Sequence, residues 1–226
     1  MRRVPEPELM DEPEQARAYA EADFSEPNAL FVALFQESFP DFGATGCLLD
    51  LGCGPADITL RLARAYPACR VHGVDGARRM LAFGHDRIAA TELEGRVTLV
   101  HGVIPQVRLP RGRYEAVVSN SLLHHLHDAA VLWETIKRCA APGAPVLVMD
   151  LARPQSAAQV DDLVRTYAGD APPVLQRDFR WSLCAAFRPE EVLGQLAQAG
   201  LGGFDVRMVS DRHLAVLGRV PDPKGL

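Results

Sequence analysis

The 226-residue chain has little that would place it in a membrane, in an oxidising compartment or on a polyanion. No apolar run approaches the roughly 20 residues of a membrane-spanning helix, and the first residues, MRRVPE, contain no hydrophobic signal region. The five cysteines include no C-x-x-C pair, which argues against a disulfide framework or a zinc knuckle. The net charge is -5 and no Lys/Arg run occurs, which disfavours a nucleic-acid partner. We therefore expect a cytoplasmic protein that acts on a small molecule, with no nucleic-acid or membrane partner.

The composition and the order of apolar runs predict one α/β domain. The chain is 48% hydrophobic and 23% charged, enough to bury a sizeable core. Strand-like runs near 47–50, 70–74, 97–101, 115–119 and 146–150 alternate with helical patterns, which favours a parallel sheet. Two later runs, 204–209 and 213–217, are separated only by a short polar turn, so we expect them to pair as antiparallel neighbours.

A glycine-rich turn follows the first predicted strand. Gly52 and Gly54 allow a sharp turn and a close approach of a ligand to the backbone, as in dinucleotide-binding loops. Asp57 takes the place of the third small residue of the dinucleotide fingerprint. Asp50, Cys53 and Asp57 thus belong to a loop with two carboxylates and no Lys or Arg, which suits a cationic cofactor such as S-adenosylmethionine (SAM) better than a pyrophosphate. The alternative for Asp57 is a helix cap.

Two motifs carry a resemblance to a known family. Residues 50–54, DLGCG, and residues 71–75, VHGVD, resemble the first two motifs of class I (Rossmann-like) SAM-dependent methyltransferases. Asp75 lies 21 residues beyond Gly54, where a carboxylate can bind both ribose hydroxyls, although a turn residue before Gly76 is the alternative. Over about 46–219 the resemblance implies a seven-stranded, mostly parallel sheet in the order 3-2-1-4-5-7-6. Its last strand is antiparallel, helices cover both faces, and an N-terminal helical lid is added.

The segment after the fourth strand is the best candidate for the methyl-transfer site. Residues 119–128, SNSLLHHLHD, resemble the family segment beside the transferable methyl group, and Asn120 and Ser121 offer polar groups there. His124 or His125 is a candidate general base because imidazole titrates near neutrality. The alternatives are a structural role or a metal site. No spaced carboxylate partner is evident in the sequence, so we predict no metal.

The remaining cofactor contacts are expected from the resemblance. Many relatives have an acidic residue after the third strand that holds adenine, but residues 101–106 here read HGVIPQ. Adenine recognition is therefore assigned to Gly102 and Val103, with Met80 on the other face, although Met80 and Val103 are equally typical of core positions. Related small-molecule methyltransferases often fold an N-terminal tyrosine over SAM, which suggests Tyr19.

These patterns divide the chain into four segments and lead to one functional hypothesis. We assign 1–45 to the lid, 46–150 to the SAM-binding half, 151–187 to a substrate cap and 188–226 to a C-terminal helix and strand pair. The predicted activity is transfer of a methyl group from SAM to a small organic molecule. The alternatives are an NAD(P)-dependent oxidoreductase and a catalytically silent SAM-binding protein. The scaffold motifs report the cofactor and leave the acceptor atom unspecified.

Overall fold

A seven-stranded sheet forms the centre of the protein in a computed structural model that describes residues 1–7, 9–43 and 45–222. Residues 223–226 of the predicted 188–226 segment therefore lie outside the described residues. The strand order is β3-β2-β1-β4-β5-β7-β6, and β7 runs antiparallel to β5 and to β6 while the other pairs are parallel. The predicted order and the antiparallel late pair are thus confirmed. The strands are β1 (Gly46–Leu51), β2 (Cys69–Asp75), β3 (Val97–His101), β4 (Ala116–Asn120), β5 (Pro145–Leu151), β6 (Asp205–Met208) and β7 (His213–Arg219).

Eight α-helices and one short 3-10 helix occur among the described residues. None of these helices is long and apolar enough to cross a membrane. The helices are α1 (Pro13–Glu21), α2 (Ser25–Ser38), α3 (Asp57–Ala65), α4 (Arg78–Ala89), the 3-10 helix (Leu123–His125), α5 (Ala130–Cys139), α6 (Ala157–Ala168), α7 (Pro173–Ala185) and α8 (Pro189–Gln198).

The sheet is buried on both faces, as expected for parallel strands covered by helices. Successive side chains of a strand point to opposite faces, so Leu49 packs in the cluster that contains Trp133 of α5, whereas Leu48 packs in the cluster that contains Phe31 and Phe35 of α2. All five side chains are fully buried. The α2 part of the predicted lid therefore covers a face of the sheet and belongs to the core.

The predicted substrate cap is helical, which its sequence does not indicate. Segment 151–187 contains α6 and α7, and the Pro172-Pro173 pair separates them. Pro173 is the first residue of α7, where the missing N–H costs no hydrogen bond and the fixed φ suits a helix. The cap packs around Val160, Val164 and Leu183, so it has a small apolar cluster of its own.

Candidate functional site

A large cavity opens at the carboxyl edge of the parallel strands. Its volume is about 1100 Å³, and it lies where β1 and β4 are neighbours and the chain order of the sheet reverses. Open α/β sheets bind ligands at this topological switch point. Most of the predicted site residues line this cavity: Tyr19, Gly52, Gly54, Asp75, Gly76, Met80, Gly102, Val103, Asn120, Ser121, His124 and His125.

The glycine turn has the backbone geometry that its sequence predicts. Gly52 and Gly54 have φ angles of +75° and +51°, in the left-handed region that favours glycine. The backbone N–H groups of Gly52 and Cys53 donate to the Val74 carbonyl at 2.8 and 3.0 Å, which ties the turn to the end of β2. A Cβ on Gly52 would lie 2.9 Å from Leu122 Cβ, whereas a Cβ on Gly54 would meet no heavy atom within 4 Å. Gly54 therefore borders open space in the cavity.

Asp75 joins the two predicted motifs. Its Oδ2 accepts a hydrogen bond from the Gly54 backbone N–H at 2.8 Å, and its Oδ1 accepts one from the Ala77 N–H at 2.7 Å. Burial raises the pKa of the carboxyl group, and these two backbone hydrogen bonds act in the opposite direction. A carboxylate has about four lone-pair sites, so both oxygens keep acceptor capacity toward the cavity.

The other loop carboxylates and Cys53 line a smaller cavity of about 50 Å³. Asp50 is buried beneath the loop, where its Oδ2 accepts a hydrogen bond from Thr59 Oγ1 at 2.6 Å, and burial raises its pKa to about 7. Asp57 is the first residue of α3 and pairs with Arg61 at 2.5 Å and with Arg87 of α4 at 3.8 Å. The loop contains no Lys or Arg, but the fold brings Arg61 and Arg87 to it, and these two side chains partly neutralise Asp57.

The predicted adenine and lid residues lie on one side of the cavity. Met80 is buried with Ala16 and Ala77, in a small cluster against which Tyr19 packs. The Tyr19 ring lies 4.7 Å from the Phe24 ring, and burial raises the pKa of the Tyr19 hydroxyl to about 12. Val103 is 44% exposed and therefore offers apolar surface to the cavity.

Asn120 is the last residue of β4, and Ser121 follows it in the lining of the same cavity. Ser121 has a φ of +55°, and its N–H donates to the Met149 carbonyl at 2.9 Å. The Asn120 side-chain oxygen is buried and has no hydrogen-bond partner within the described part of the chain. An unpartnered buried acceptor is costly, so this oxygen is suited to accept a hydrogen bond from a ligand.

His124 is held between two carboxylates. Its Nδ1 lies 2.5 Å from Asp150 Oδ1, and its Nε2 lies 3.4 Å from Glu6 Oε1. Asp150 Oδ2 also accepts the Leu123 N–H at 2.7 Å, which fixes the carboxylate. Burial lowers the pKa of His124, but Asp150 and Glu6 outweigh burial and leave it raised. In neighbouring His125, burial and the charge of His124 lower the pKa to about 3.

Glu6 is a candidate site residue that the sequence does not reveal. It lies in the N-terminal segment, far along the chain from the histidines, and no local pattern marks it. The segment is anchored by Arg3, which donates to the His124 and Leu126 carbonyls at 3.0 and 2.9 Å, and whose guanidinium stacks 3.9 Å from the centre of the Phe187 ring. The sequence spacing indicates no carboxylate partner for the histidines, and this inference is wrong: in the fold, Glu6 lies beside the rings of His124 and His125.

The sheet order and the cavity at its switch point define a Rossmann-like methyltransferase fold. Residues 48–143 match the family described as "Methyltransferase domain". The match covers 96 of the 226 residues and supports the resemblance to class I SAM-dependent methyltransferases.

Relatives and solved structures agree with this family. The chain is 32% identical over 107 residues to a demethylmenaquinone methyltransferase of Anoxybacillus flavithermus. The aligned stretch covers 47% of this chain and 45% of that relative. It thus spans about half the length of the curated relatives it matches.

Two solved structures share the fold over nearly the whole chain. A SAM-dependent methyltransferase from Aquifex aeolicus superposes with a TM-score of 0.64 at 18% identity, covering 92% of this chain and 98% of that one. The plantazolicin methyltransferase BpumL, in complex with a monoazolic desmethylPZN analog and SAH, superposes with a TM-score of 0.71 at 12% identity, covering 93% and 91%. At these identities the likeness concerns the fold alone.

Proposed function

We propose that the protein transfers a methyl group from SAM to a small organic molecule. The observation that carries this proposal is one cavity lined by the glycine turn, Asp75, Asn120 and the histidine pair. Its volume of about 1100 Å³ exceeds the upper end of the range of about 300–1,000 Å³ typical of a site for one ligand. A cofactor and an acceptor therefore fit side by side.

The residues present suit the chemistry of SAM. The cofactor has no phosphate, and the cavity edge offers the Asp75 carboxylate and the unpartnered Asn120 oxygen as acceptors. We assign the ribose hydroxyls to Asp75 and the amino group of the methionine part to Asn120. Gly54 allows a ligand to approach the backbone closely, because it has no side chain and the position of its missing Cβ borders open space.

The adenine end is assigned to the apolar side of the cavity. Val103 and Met80 supply apolar surface, and the backbone of Gly102 supplies polar groups in place of the missing acidic residue. Tyr19 lies on the lid side, where its ring would cover the cofactor. Residues 46–150 are accordingly proposed as the SAM-binding half and 151–187 as the acceptor cap.

Methyl transfer requires alignment, exclusion of water and, for some acceptors, removal of a proton. Asn120, His124 and His125 remain our predicted transfer-site residues. Both His124 nitrogens face carboxylates, so this ring is oriented rather than free to take a proton from an acceptor. A general base at His125 remains a prediction. If His125 is the base, the His125→Ala variant should lose turnover and retain SAM binding.

The names of the relatives support a small acceptor. Demethylmenaquinone methyltransferase is named for a quinone substrate, and a matching segment occurs in the polyketide synthase ThaQ of Burkholderia thailandensis. The aromatic and apolar residues of the cap, such as Phe179 and Leu175, face the same cavity and suit an acceptor with apolar parts.

Calorimetric titration of the full chain with SAM, S-adenosylhomocysteine and NAD tests the cofactor. We expect binding of the first two and none of NAD. Binding of NAD without SAM would favour the oxidoreductase alternative. Incubation with methyl-labelled SAM and a panel of quinols, phenols and amines then tests turnover. Cofactor binding without transfer of label to any compound of the panel would favour the catalytically silent alternative.

A further inference from the structure

Three side chains from two distant parts of the chain converge at the acceptor end of the cavity. Glu6 belongs to the N-terminal segment, and His124 and His125 belong to the 3-10 helix after β4. One ligand atom from each residue lies within 4.8 Å of the other two, and all three residues are buried. Among the described residues this is the group whose composition suits a metal ion.

The distances in this group match the edges of a tetrahedral metal site. Glu6 Oε1 lies 3.4 Å from His124 Nε2 and 3.2 Å from His125 Nδ1. Nitrogen and oxygen ligands about 2.0–2.1 Å from a tetrahedral zinc ion are separated by about 3.3–3.4 Å, from the geometry of the tetrahedron. Two of the three edges are therefore already spaced as around an ion, and the third, between the two histidine nitrogens, is no longer than 4.8 Å.

The hydrogen bonding leaves acceptor atoms facing each other. Glu6 Oε1 and His125 Nδ1 are buried and have no hydrogen-bond partner in the described ranges. His125 is hydrogen-bonded to the backbone of Pro7, which has only a carbonyl to offer, so the ring donates from Nε2. Nδ1 of the neutral ring then presents a lone pair to a carboxylate oxygen. Two acceptors at this separation repel each other unless a proton or a metal cation lies between them, and burial makes that repulsion costly.

The surrounding groups orient the three ligands as they do in known metal sites. His124 Nδ1 is hydrogen-bonded to Asp150, which directs the Nε2 lone pair toward the cluster, and carboxylate–histidine–metal arrangements of this kind are usual. Ser182 Oγ donates to Glu6 Oε2 at 3.3 Å and leaves Oε1 for the cluster. The carboxylates of Glu6 and Asp150 together offset the charge of a divalent ion.

We propose that Glu6 Oε1, His124 Nε2 and His125 Nδ1 bind one divalent transition-metal ion, for which zinc has the best-matched geometry and ligands. Two histidines and one glutamate leave a fourth position open, as in catalytic zinc sites. His124, His125 and Ser182 also line the large cavity, so the open position lies where an oxygen or nitrogen atom of the acceptor would bind. The bound ion would stabilise the deprotonated acceptor, and this role would replace that of a general base at His125.

Zinc binding to the full-length protein tests this proposal without reference to turnover. After treatment with a chelator and its removal, Zn²⁺ is titrated in competition with a chromophoric chelator. We expect one ion per chain, and Co²⁺ in its place should give the intense visible absorption of tetrahedral coordination. The absence of stoichiometric zinc binding would overturn the proposal.

Variants assign the ion to this cluster. Glu6→Gln keeps the size of the side chain and removes its charge, and His125→Gln removes one nitrogen ligand. Because loss of outer-shell partners alone weakens metal sites about 10–100-fold, we expect each variant to weaken zinc binding by at least about 100-fold. His85→Gln, on the exposed face of α4, is the matched histidine control and should bind zinc as the parent does.

The two proposals fail separately in this design. S-adenosylhomocysteine binding measured on the same samples reports whether the variants are folded and whether the cofactor half is intact. Unchanged zinc affinity in a folded Glu6→Gln protein, or in His125→Gln should Glu6→Gln not fold, would overturn the metal site and leave the methyltransferase proposal standing. Zinc binding without cofactor binding would do the reverse.

Discussion

Replacement of Asp75 by asparagine is the sharpest test of the cofactor site. Each Asp75 oxygen accepts one backbone hydrogen bond, from Gly54 and from Ala77, and is proposed to accept one ribose hydroxyl as well. Asparagine keeps the size of the side chain but replaces one oxygen by an NH₂ group, which donates only. One backbone N–H then loses its acceptor, and the hydrogen bonds to the ribose lose their charge assistance.

The expected loss follows from these bonds. Hydrogen bonds to charged groups contribute about 1.5–3 kcal/mol, so we expect Asp75→Asn to weaken S-adenosylhomocysteine binding by about 2 kcal/mol, or about 30-fold. Asp75→Ala should weaken it by at least about 2 kcal/mol and also destabilise the turn, because the N–H groups of Gly54 and Ala77 both lose their acceptor.

Isothermal titration calorimetry measures the affinity, and a urea unfolding curve measures the stability of each variant. Asp86→Asn, on the exposed side of α4, is the matched control and should bind as the parent does. An affinity of folded Asp75→Asn within about twofold of the parent, a difference of about 0.4 kcal/mol, would refute the assignment of the ribose to Asp75.

Three further predictions concern the turn, the lid and a buried acid. Gly52→Ala should lower the free energy of unfolding by about 2–4 kcal/mol, because the left-handed backbone costs about 1 kcal/mol and overpacking against Leu122 costs about 1–3 kcal/mol. Gly143 has a similar φ of +74° and open space where a Cβ would lie. Urea titration of Gly143→Ala therefore measures the cost of the backbone conformation alone. Equal losses in the two variants would contradict the close contact with Leu122. Tyr19→Ala should weaken S-adenosylhomocysteine binding several-fold while Tyr19→Phe leaves it nearly unchanged, since the ring rather than the hydroxyl covers the cofactor; equal affinities in calorimetry would remove Tyr19 from the site. The folded pKa of Asp50, about 7, lies above its ordinary value of 3.8, so its contribution to stability is complete below about pH 4 and is lost as the pH rises through about 7; Asp50→Asn should flatten this fall in the unfolding free energy between pH 4 and 8, and an unaltered pH profile would show that Asp50 is not the group responsible.

The sheet could be predicted from the sequence because its signals are local. The apolar runs of β1 to β5 are separated from one another by recognisable turn or helix patterns, and Gly52 and Gly54 mark a turn with left-handed backbone. Asp75 was predictable for the same reason, since its spacing from the turn reflects one βαβ unit.

The acceptor end could not be predicted because its residues meet only in the folded chain. Glu6 has no periodic or motif context, and its place beside His124 depends on how Arg3 anchors the N-terminal segment. Arg87 likewise reaches Asp57 from another helix, so a loop without basic residues in sequence is not without them in space. The helices of the cap were missed because mixed aromatic and charged residues around Pro172 and Pro173 show no clear period.

The residues that line the large cavity come from separate stretches of the chain, and this matters for engineering a new methyl acceptor. The family match spans 48–143, which includes Asp75 and Asn120, whereas Glu6, Tyr19 and the α7 wall lie outside it. Similarity over the matched stretch therefore supports inferences about the methyl donor and gives no information about the methyl recipient. On the proposed assignment of 151–187 to the acceptor, variants of that segment grafted onto this scaffold would change the recipient and leave the donor loop untouched.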